Sequence, residues 1–338
     1  MPNVNLGTGV EDMKDWKING NRPYGCLDNA RMVLARQEEF CRKRLKRLKP
    51  ALRKKYQHTL CAATIRASST PLFSSLAARR IAAESLHDAL LSGVESLDGE
   101  RRGLIVTFAF ADGLLDIAAP KVRLVPMQRK IRDALKKLRF EGVVVFEADV
   151  ITDEAGAAHI SLHAHALGWS MIPENEVKAA TWAKQQSNRS AFRAAFGIPT
   201  VHIKPVASDQ DLANLAFYVL KPPHSQKYRA KNRFGEIRLQ TRHRRLSANR
   251  LARILEIYSA GTLRDWIFGA GRYGGHLADR VKHETFAWAR ENDNECSHTP
   301  SRKRLAKTWH HLWQIFEPEF QPAAIMTASS DRKSYCLK

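Results

Sequence analysis

Several features are scarce or missing in this 338-residue sequence, and each absence narrows what the chain does. No stretch approaches the roughly 18 consecutive apolar residues that a membrane helix needs, so a membrane is not an expected partner. The start, Met1-Pro-Asn-Val-Asn-Leu-Gly-Thr-Gly, has no apolar run behind a basic flank. No signal peptide is expected there, and the chain reads as cytoplasmic. The five cysteines, Cys26, Cys41, Cys61, Cys296 and Cys336, are scattered and never in Cys-x-x-Cys spacing. That argues against a disulfide framework and against structural zinc. Cys296-Ser-His298 is half a zinc site with no partner pair nearby. Gly269-Ala-Gly271-Arg-Tyr-Gly274-Gly275 lacks the Gly-Lys-Ser/Thr of a phosphate loop and reads as a flexible connection. There is no internal repeat and no helicase-type nucleotide motif.

Acidic residues are under-represented too. Asp and Glu number 34 against 55 Lys and Arg, giving a net charge of +21. Such an excess points first to a polyanion partner, because each neutralised phosphate releases counterions. A content of 44% hydrophobic residues is enough for a sizeable core, in two domains or in one with extensions.

Residues 1 to about 25 look loop-like. Asn29 to about Tyr56 is a basic helical segment containing Arg42-Lys-Arg-Leu-Lys-Arg-Leu-Lys49, and the helical pattern continues over 57–98. Near Asp98-Gly99-Glu100 the pattern turns strand-like, which divides the chain into an α-helical region (1–99), a central domain (100–247) and a second α-helical region (248–338). Within the centre, Gly103 to Ala111 reads as a strand and Pro126 to Phe140 as an amphipathic helix through Ile131, Leu135 and Leu138. Gly142 to Glu147 opens a hairpin, and Ala191 to Phe196 precedes a strand over Thr200 to Val206. That order predicts an α+β fold, a central antiparallel sheet with helices packed on one face. Further on, Leu251, Ile254, Leu255 and Tyr258 form a helical stripe, as do Trp309, Leu312, Trp313 and Phe316, with His310 and His311 at the surface and a polar tail from Gln321.

The chemistry concentrates between Glu147 and Lys221. Alternation puts His159, Ser161, His163 and His165 on one strand face, where two imidazoles two residues apart converge on one cation. Asp153-Glu-Ala-Gly156 is turn chemistry, and folding about it brings Glu147 opposite His163 or His165. Two nitrogens and a carboxylate with open positions suit a divalent cation that also holds substrate oxygens. Glu147 is the favoured third ligand, with His159 and Asp149 as alternatives. Ser208 reads as the N-cap of a helix over Asp209 to Leu220, stopped by Pro222-Pro223. On it Leu212, Leu215, Ala216 and Val219 form an apolar stripe, and Asp211, Asn214, Tyr218 and Lys221 a polar one. Beyond lie Lys227, Arg229, Lys231 and Arg233, then Arg242, Arg244 and Arg245, basic runs punctuated by Tyr228 and Phe234 that suit a single strand of nucleic acid.

His163-Ala164-His165 followed by Tyr218-Val219-Leu220-Lys221, with Leu104-Ile-Val-Thr-Phe-Ala-Phe110 as a first-strand motif, resembles the HUH endonucleases and among them the one-tyrosine rolling-circle replication initiators. The resemblance covers roughly residues 100 to 230, with Ala109 where a second Thr is common in the family. It implies an HUH/RRM-like core in which Mg²⁺ or Mn²⁺ is held by His163, His165 and a carboxylate or other polar residue. It also implies Tyr218 as nucleophile, with Tyr228 as the alternative, and Lys221 as the residue that lowers the tyrosine's pKa or holds the phosphate. The two-tyrosine version is disfavoured by Asn214 and Pro222 one turn either side. The activity implied is site-specific DNA nicking and strand transfer at a replication origin, on single-stranded or hairpin DNA, working with a host helicase and polymerase. A relaxase or transposase of the same superfamily is the near alternative, and a non-catalytic basic nucleic-acid-binding protein the distant one.

Overall fold

The computed structural model describes residues 24–50, 71–94, 97, 101–117, 122–153, 156–171, 176–189, 192, 200–231, 237–259 and 261–291. The elements in chain order are α1 (Leu27–Leu45), α2 (Leu76–Gly93), β1 (Arg102–Asp116), α3 (Leu124–Lys136), β2 (Phe140–Thr152), β3 (Ala158–Ser170), α4 (Glu176–Ser187), β4 (Val201–Pro205), α5 (Asp209–Val219), β5 (Ser225–Lys231), β6 (Ile237–Arg245), α6 (Ala248–Ser259), α7 (Leu263–Trp266), β7 (Ile267–Ala270) and α8 (Arg272–Glu291). The fold is α+β. Among the described residues seven strands form one sheet in the order β4-β1-β3-β2-β5-β6, with β7 also on β2.

The hairpin forms as its turn residues dictate. Gly156 takes a positive φ, Gly156 N–H donates to the Asp153 carbonyl, and β2 and β3 pair antiparallel with Glu147 opposite His163 and Val145 opposite His165. β1 covers the other edge of β3, placing Thr107 opposite His165, and its register shifts between Ala109 and Leu114. Since successive side chains alternate, Thr107, Glu147, Asp149, His163 and His165 share one face of three adjacent strands.

Two expectations about the sheet are corrected. It is mixed rather than antiparallel, because β5 runs parallel to β2 over Val150 to Thr152. The helices are not confined to one face either. α5 lies over the face bearing the histidines, with α2 packed against α5 and α8 against α2, whereas Phe108 on the opposite face packs on Phe192, after α4. The physical reason is that both sides of β2 and β3 are apolar apart from the site itself: Val143 to Phe146, Ala164, Ala166 and Leu167 are all buried, so neither face tolerates water.

Element boundaries moved too. The amphipathic helix is α3, two residues earlier at its start, and Phe140 belongs to β2. The helix expected over 57–98 is α2 alone among the described residues, begun by Ser75, whose hydroxyl accepts from the Ala78 N–H at 3.2 Å. The glycine run is not a flexible connection. Gly269 lies in β7, Gly271 takes a positive φ at the turn, and Gly274 sits in the first turn of α8, where a Cβ would strike the backbone of Gly142. Those glycines let α8 reach β2, where the Glu141 carboxylate accepts from the Tyr273 N–H at 2.7 Å and the Gly274 N–H at 3.2 Å. α6 buries Leu251, Ile254, Leu255 and Tyr258 as its stripe requires. The segment from Trp309 onward, with His310, His311 and the Gln321 tail, lies outside the described residues, as do residues 1–23, Cys61, Cys296, Cys336, Phe234 and most of 190–199. No helix among the described residues is long and apolar enough to cross a membrane.

The outer edge of β2 is shared. β7 pairs with it over Gly142 to Val145 and β5 over Val150 to Thr152. Between them, the Ala148 N–H donates to the Tyr258 hydroxyl at 2.9 Å, and that hydroxyl donates to the Ala148 carbonyl at 3.3 Å. A side chain thus supplies the hydrogen bonds that a strand would otherwise make, at the residue between Glu147 and Asp149.

Candidate metal centre and tyrosine helix

Glu147, His163 and His165 are all buried, and one ligand atom from each lies within 4.8 Å of the others. His165 Nε2 is 3.1 Å from Glu147 Oε2, and His163 Nε2 is 3.4 Å from the same oxygen. The two rings stand at 89° with centroids 5.0 Å apart, so their nitrogens converge while the planes do not stack. Thr107 Oγ1 sits 3.0 Å from His165 Nδ1. Because a hydroxyl both donates and accepts, it serves Nδ1 in either tautomer and leaves Nε2 able to carry a proton to Glu147 or to stay bare for a metal. This buried group is able to bind a metal ion.

The electrostatics suit that use. Burial on its own raises the pKa of the Glu147 carboxyl, but the Lys221 ammonium and the two imidazoles override it and hold the group well below the usual carboxylate range. Burial brings His165 down to about 4 against the opposing hydrogen bond to the Glu147 carboxylate, so its imidazole is neutral at pH 7. A neutral imidazole and an ionised carboxylate are the protonation states a cation requires.

The alternative ligands fall elsewhere. His159 Nε2 is 3.1 Å from Asp153 Oδ2, at the turn end of the hairpin. Asp149 Oδ2 approaches His163 Nε2 only to 3.8 Å and pairs with Lys227 Nζ at 2.8 Å. Burial raises and Lys227 lowers the Asp149 pKa, with a net downward shift.

Tyr218 arrives on α5, which the Ser208 hydroxyl caps by accepting from the Asp211 N–H at 3.1 Å. Asp209 anchors the same end by accepting from Trp169 Nε1 at 2.8 Å. The polar stripe of α5 turns inward: Asn214 and Tyr218 are both buried. The Tyr218 ring lies 5.4 Å from the His165 ring and 5.6 Å from that of Tyr24, centroid to centroid. Lys221 Nζ is 4.1 Å from the centre of the Tyr218 ring and 2.7 Å from each oxygen of Glu147. The lysine thus bridges the carboxylate while lying over the face of the tyrosine.

The turn after α5 is held by its carbonyls. Pro222 and Pro223 have no N–H to give, and each of three successive carbonyls accepts from a side chain. Arg79 NH1 donates to the Lys221 carbonyl at 2.7 Å, His224 Nδ1 lies 3.3 Å from that of Pro222, and Cys41 Sγ donates to that of Pro223 at 3.2 Å. Arg79 itself is buried, its guanidinium 3.9 Å from the Phe73 ring centre and 4.2 Å from that of Tyr258. Thr107, Arg79, Cys41 and Tyr24 were not legible as site residues. Thr107 lay inside the first-strand motif, and only the strand pairing reveals what it touches; Cys41 and Arg79 come from helices, and Tyr24 from the turn before α1, all far away in sequence.

Of the basic residues expected to contact DNA, Lys227 turns inward to Asp149, and Arg245 is exposed at the end of β6. The backbones of Arg229, Lys231, Arg242 and Arg244 lie in β5 and β6, and their side chains, like that of Tyr228, lie outside what is described. Arg233 lies wholly outside it. No protein family, curated protein or solved structure matches this chain.

Proposed function

We propose that the chain is a site-specific single-strand DNA nickase and strand transferase of the HUH type, an initiator of rolling-circle replication. The observation that carries this reading is the meeting of a buried two-histidine, one-carboxylate group with a tyrosine ring 5.4 Å from one of the histidines. On this reading Glu147, His163 and His165 hold Mg²⁺ or Mn²⁺, which when bound polarises the scissile phosphate. The Tyr218 hydroxyl gives its proton to solvent and its oxygen attacks phosphorus, forming the Oη–P bond. The P–O3′ bond breaks, and the departing oxygen takes up a proton to become the free 3′-hydroxyl that primes synthesis. The product is a 5′-phosphotyrosyl link. Lys221, above the Tyr218 ring and on Glu147, supplies positive charge for the phenolate or for a phosphate oxygen. Partners on this reading are single-stranded or hairpin origin DNA and a host helicase and polymerase. A relaxase or transposase would use the same step.

One observation favours a non-catalytic nucleic-acid binder instead. The Lys221 ammonium already neutralises Glu147, so the buried group is balanced as it stands. Incubating the protein with a labelled degenerate single-stranded library and Mn²⁺, then separating on a denaturing gel, distinguishes the two. A covalent adduct is expected in wild type, lost in Tyr218→Phe and in EDTA, and reduced about 100-fold or more in His163→Ala and His165→Ala. An adduct that persists in Tyr218→Phe or in EDTA removes the proposed chemistry, and no adduct with any divalent ion leaves the binding protein.

A further inference from the structure

Beside the metal centre a cleft of about 400 Å³ opens between α1 and the start of the β5–β6 ribbon. Arg36, Gln37, Glu39, Phe40 and Lys43 line it from α1, and His224, Ser225 and Arg245 from the other side. Phe40 is half-buried and offers a flat apolar face between cations. The Arg44 guanidinium lies 5.2 Å from its ring centre and that of Arg245 6.0 Å. Like charges crowd here: burial, then Arg47 and Arg245, hold Arg44 below its ordinary pKa. Lys43 has a partner in Glu39 at 2.7 Å, but both side chains are more than 60% exposed, and such pairs are weak. Gln37 is 3% exposed, and its Oε1 is buried with no hydrogen-bond partner.

We infer that this cleft is a subsite for one nucleotide of single-stranded nucleic acid, with the base stacked on Phe40 and its flanking phosphates on Arg36, Lys43 and Arg245. An aromatic face bordered by guanidinium groups matches a base with phosphates on either side, and every base has such a face. An acidic peptide would use the cations alone and leave the ring idle. The inference deepens the proposed function, resting on it only for the strand being DNA. Ser225, at the cleft, is four residues from Lys221, so their Cα atoms are at most about 14 Å apart.

The test is equilibrium binding of the full chain, in EDTA, to a short random-sequence single strand and to an abasic strand of the same length. Wild type is expected to favour the base-bearing strand by about tenfold or more. Phe40→Leu, which keeps apolar bulk in the half-buried position, should bring that strand down to the abasic level, and Phe40→Trp should keep the preference and show indole quenching on binding. Arg245→Gln should weaken both strands alike and reduce the salt dependence by about one phosphate. A Phe40→Leu protein with wild-type melting and an undiminished preference for bases overturns the subsite. So does equal wild-type affinity for the two strands, which is the outcome for a purely anionic ligand such as an acidic peptide. The covalent-adduct assay keeps the two readings apart. No adduct together with a Phe40-dependent base preference sinks the nickase and leaves the subsite standing, whereas an adduct with no such preference does the reverse.

Discussion

His165 sets the acid limit of the site. Its imidazole is buried neutral, with a pKa of about 4 against an ordinary 6.5, so below about pH 6.5 the unfolded chain binds a proton that the folded chain refuses. Stability therefore falls as the pH is lowered from 6.5 towards 4. His224 titrates in the same direction, burial and Lys221 both holding it down to about 4. Glu147, whose folded pKa lies below its ordinary 4.5, adds a loss only at still lower pH. For His165 alone the full effect is up to roughly 3 kcal/mol. Urea unfolding at about pH 7 and about pH 5 should show this loss in wild type and a shallower one in His165→Gln, and added Mn²⁺ should raise wild-type stability without abolishing the loss, because the loss comes from protonation of the unfolded chain. Identical pH dependence in the two proteins would remove His165 as its source.

At the scale of the element, the strand that carries both carboxylates is braced at its weakest point. β2 would leave the Ala148 backbone unpaired between its two neighbours, and Tyr258 of α6 fills the gap. Tyr258→Phe should cost about 1–3 kcal/mol, since a buried N–H loses its acceptor with no water to replace it. It should also weaken Mn²⁺ binding, because Glu147 adjoins the loosened peptide. Denaturant melts with calorimetric titration of Mn²⁺ check both, and unchanged values would mean that β2 needs no brace. Much of this region was readable in advance from local chemistry. Asp153 to Gly156 make the turn, the two-residue period places His163 and His165 together, and Ser208 starts α5. The brace was not readable, because nothing near Tyr258 in sequence says that its hydroxyl reaches a strand 110 residues away. The parallel β5–β2 pair was hidden for the same reason: a crossover leaves no periodic mark on either strand.

For the whole molecule the net charge of +21 acts before any specific contact. Strands of any sequence should bind at low salt, and with some five phosphates engaged affinity should drop about a hundredfold between about 50 and 200 mM salt. Anisotropy titrations over that range give the slope, and a flat response would contradict a phosphate-led encounter. The charge was plain from composition, whereas its placement was not: Lys227, read as a phosphate ligand, serves Asp149, and Arg245 serves the Phe40 cleft.

The proline turn after α5 also has a bearing on how the molecule is made. Its bonds from Arg79 and Cys41 close loops of 142 and 182 residues, so the clamp on Lys221 needs α1, α2 and the tyrosine helix all present and docked. During synthesis the first two helices emerge early and wait. The histidine hairpin can close on its own soon afterwards, but the lysine has no fixed position until the chain past Pro223 has returned to the N-terminal helices. Loop closure over such distances is slow and late. A chain without α1 and α2 therefore lacks the contacts that hold the turn carrying Lys221, and the finished arrangement needs the N-terminal helices as well as the tyrosine helix.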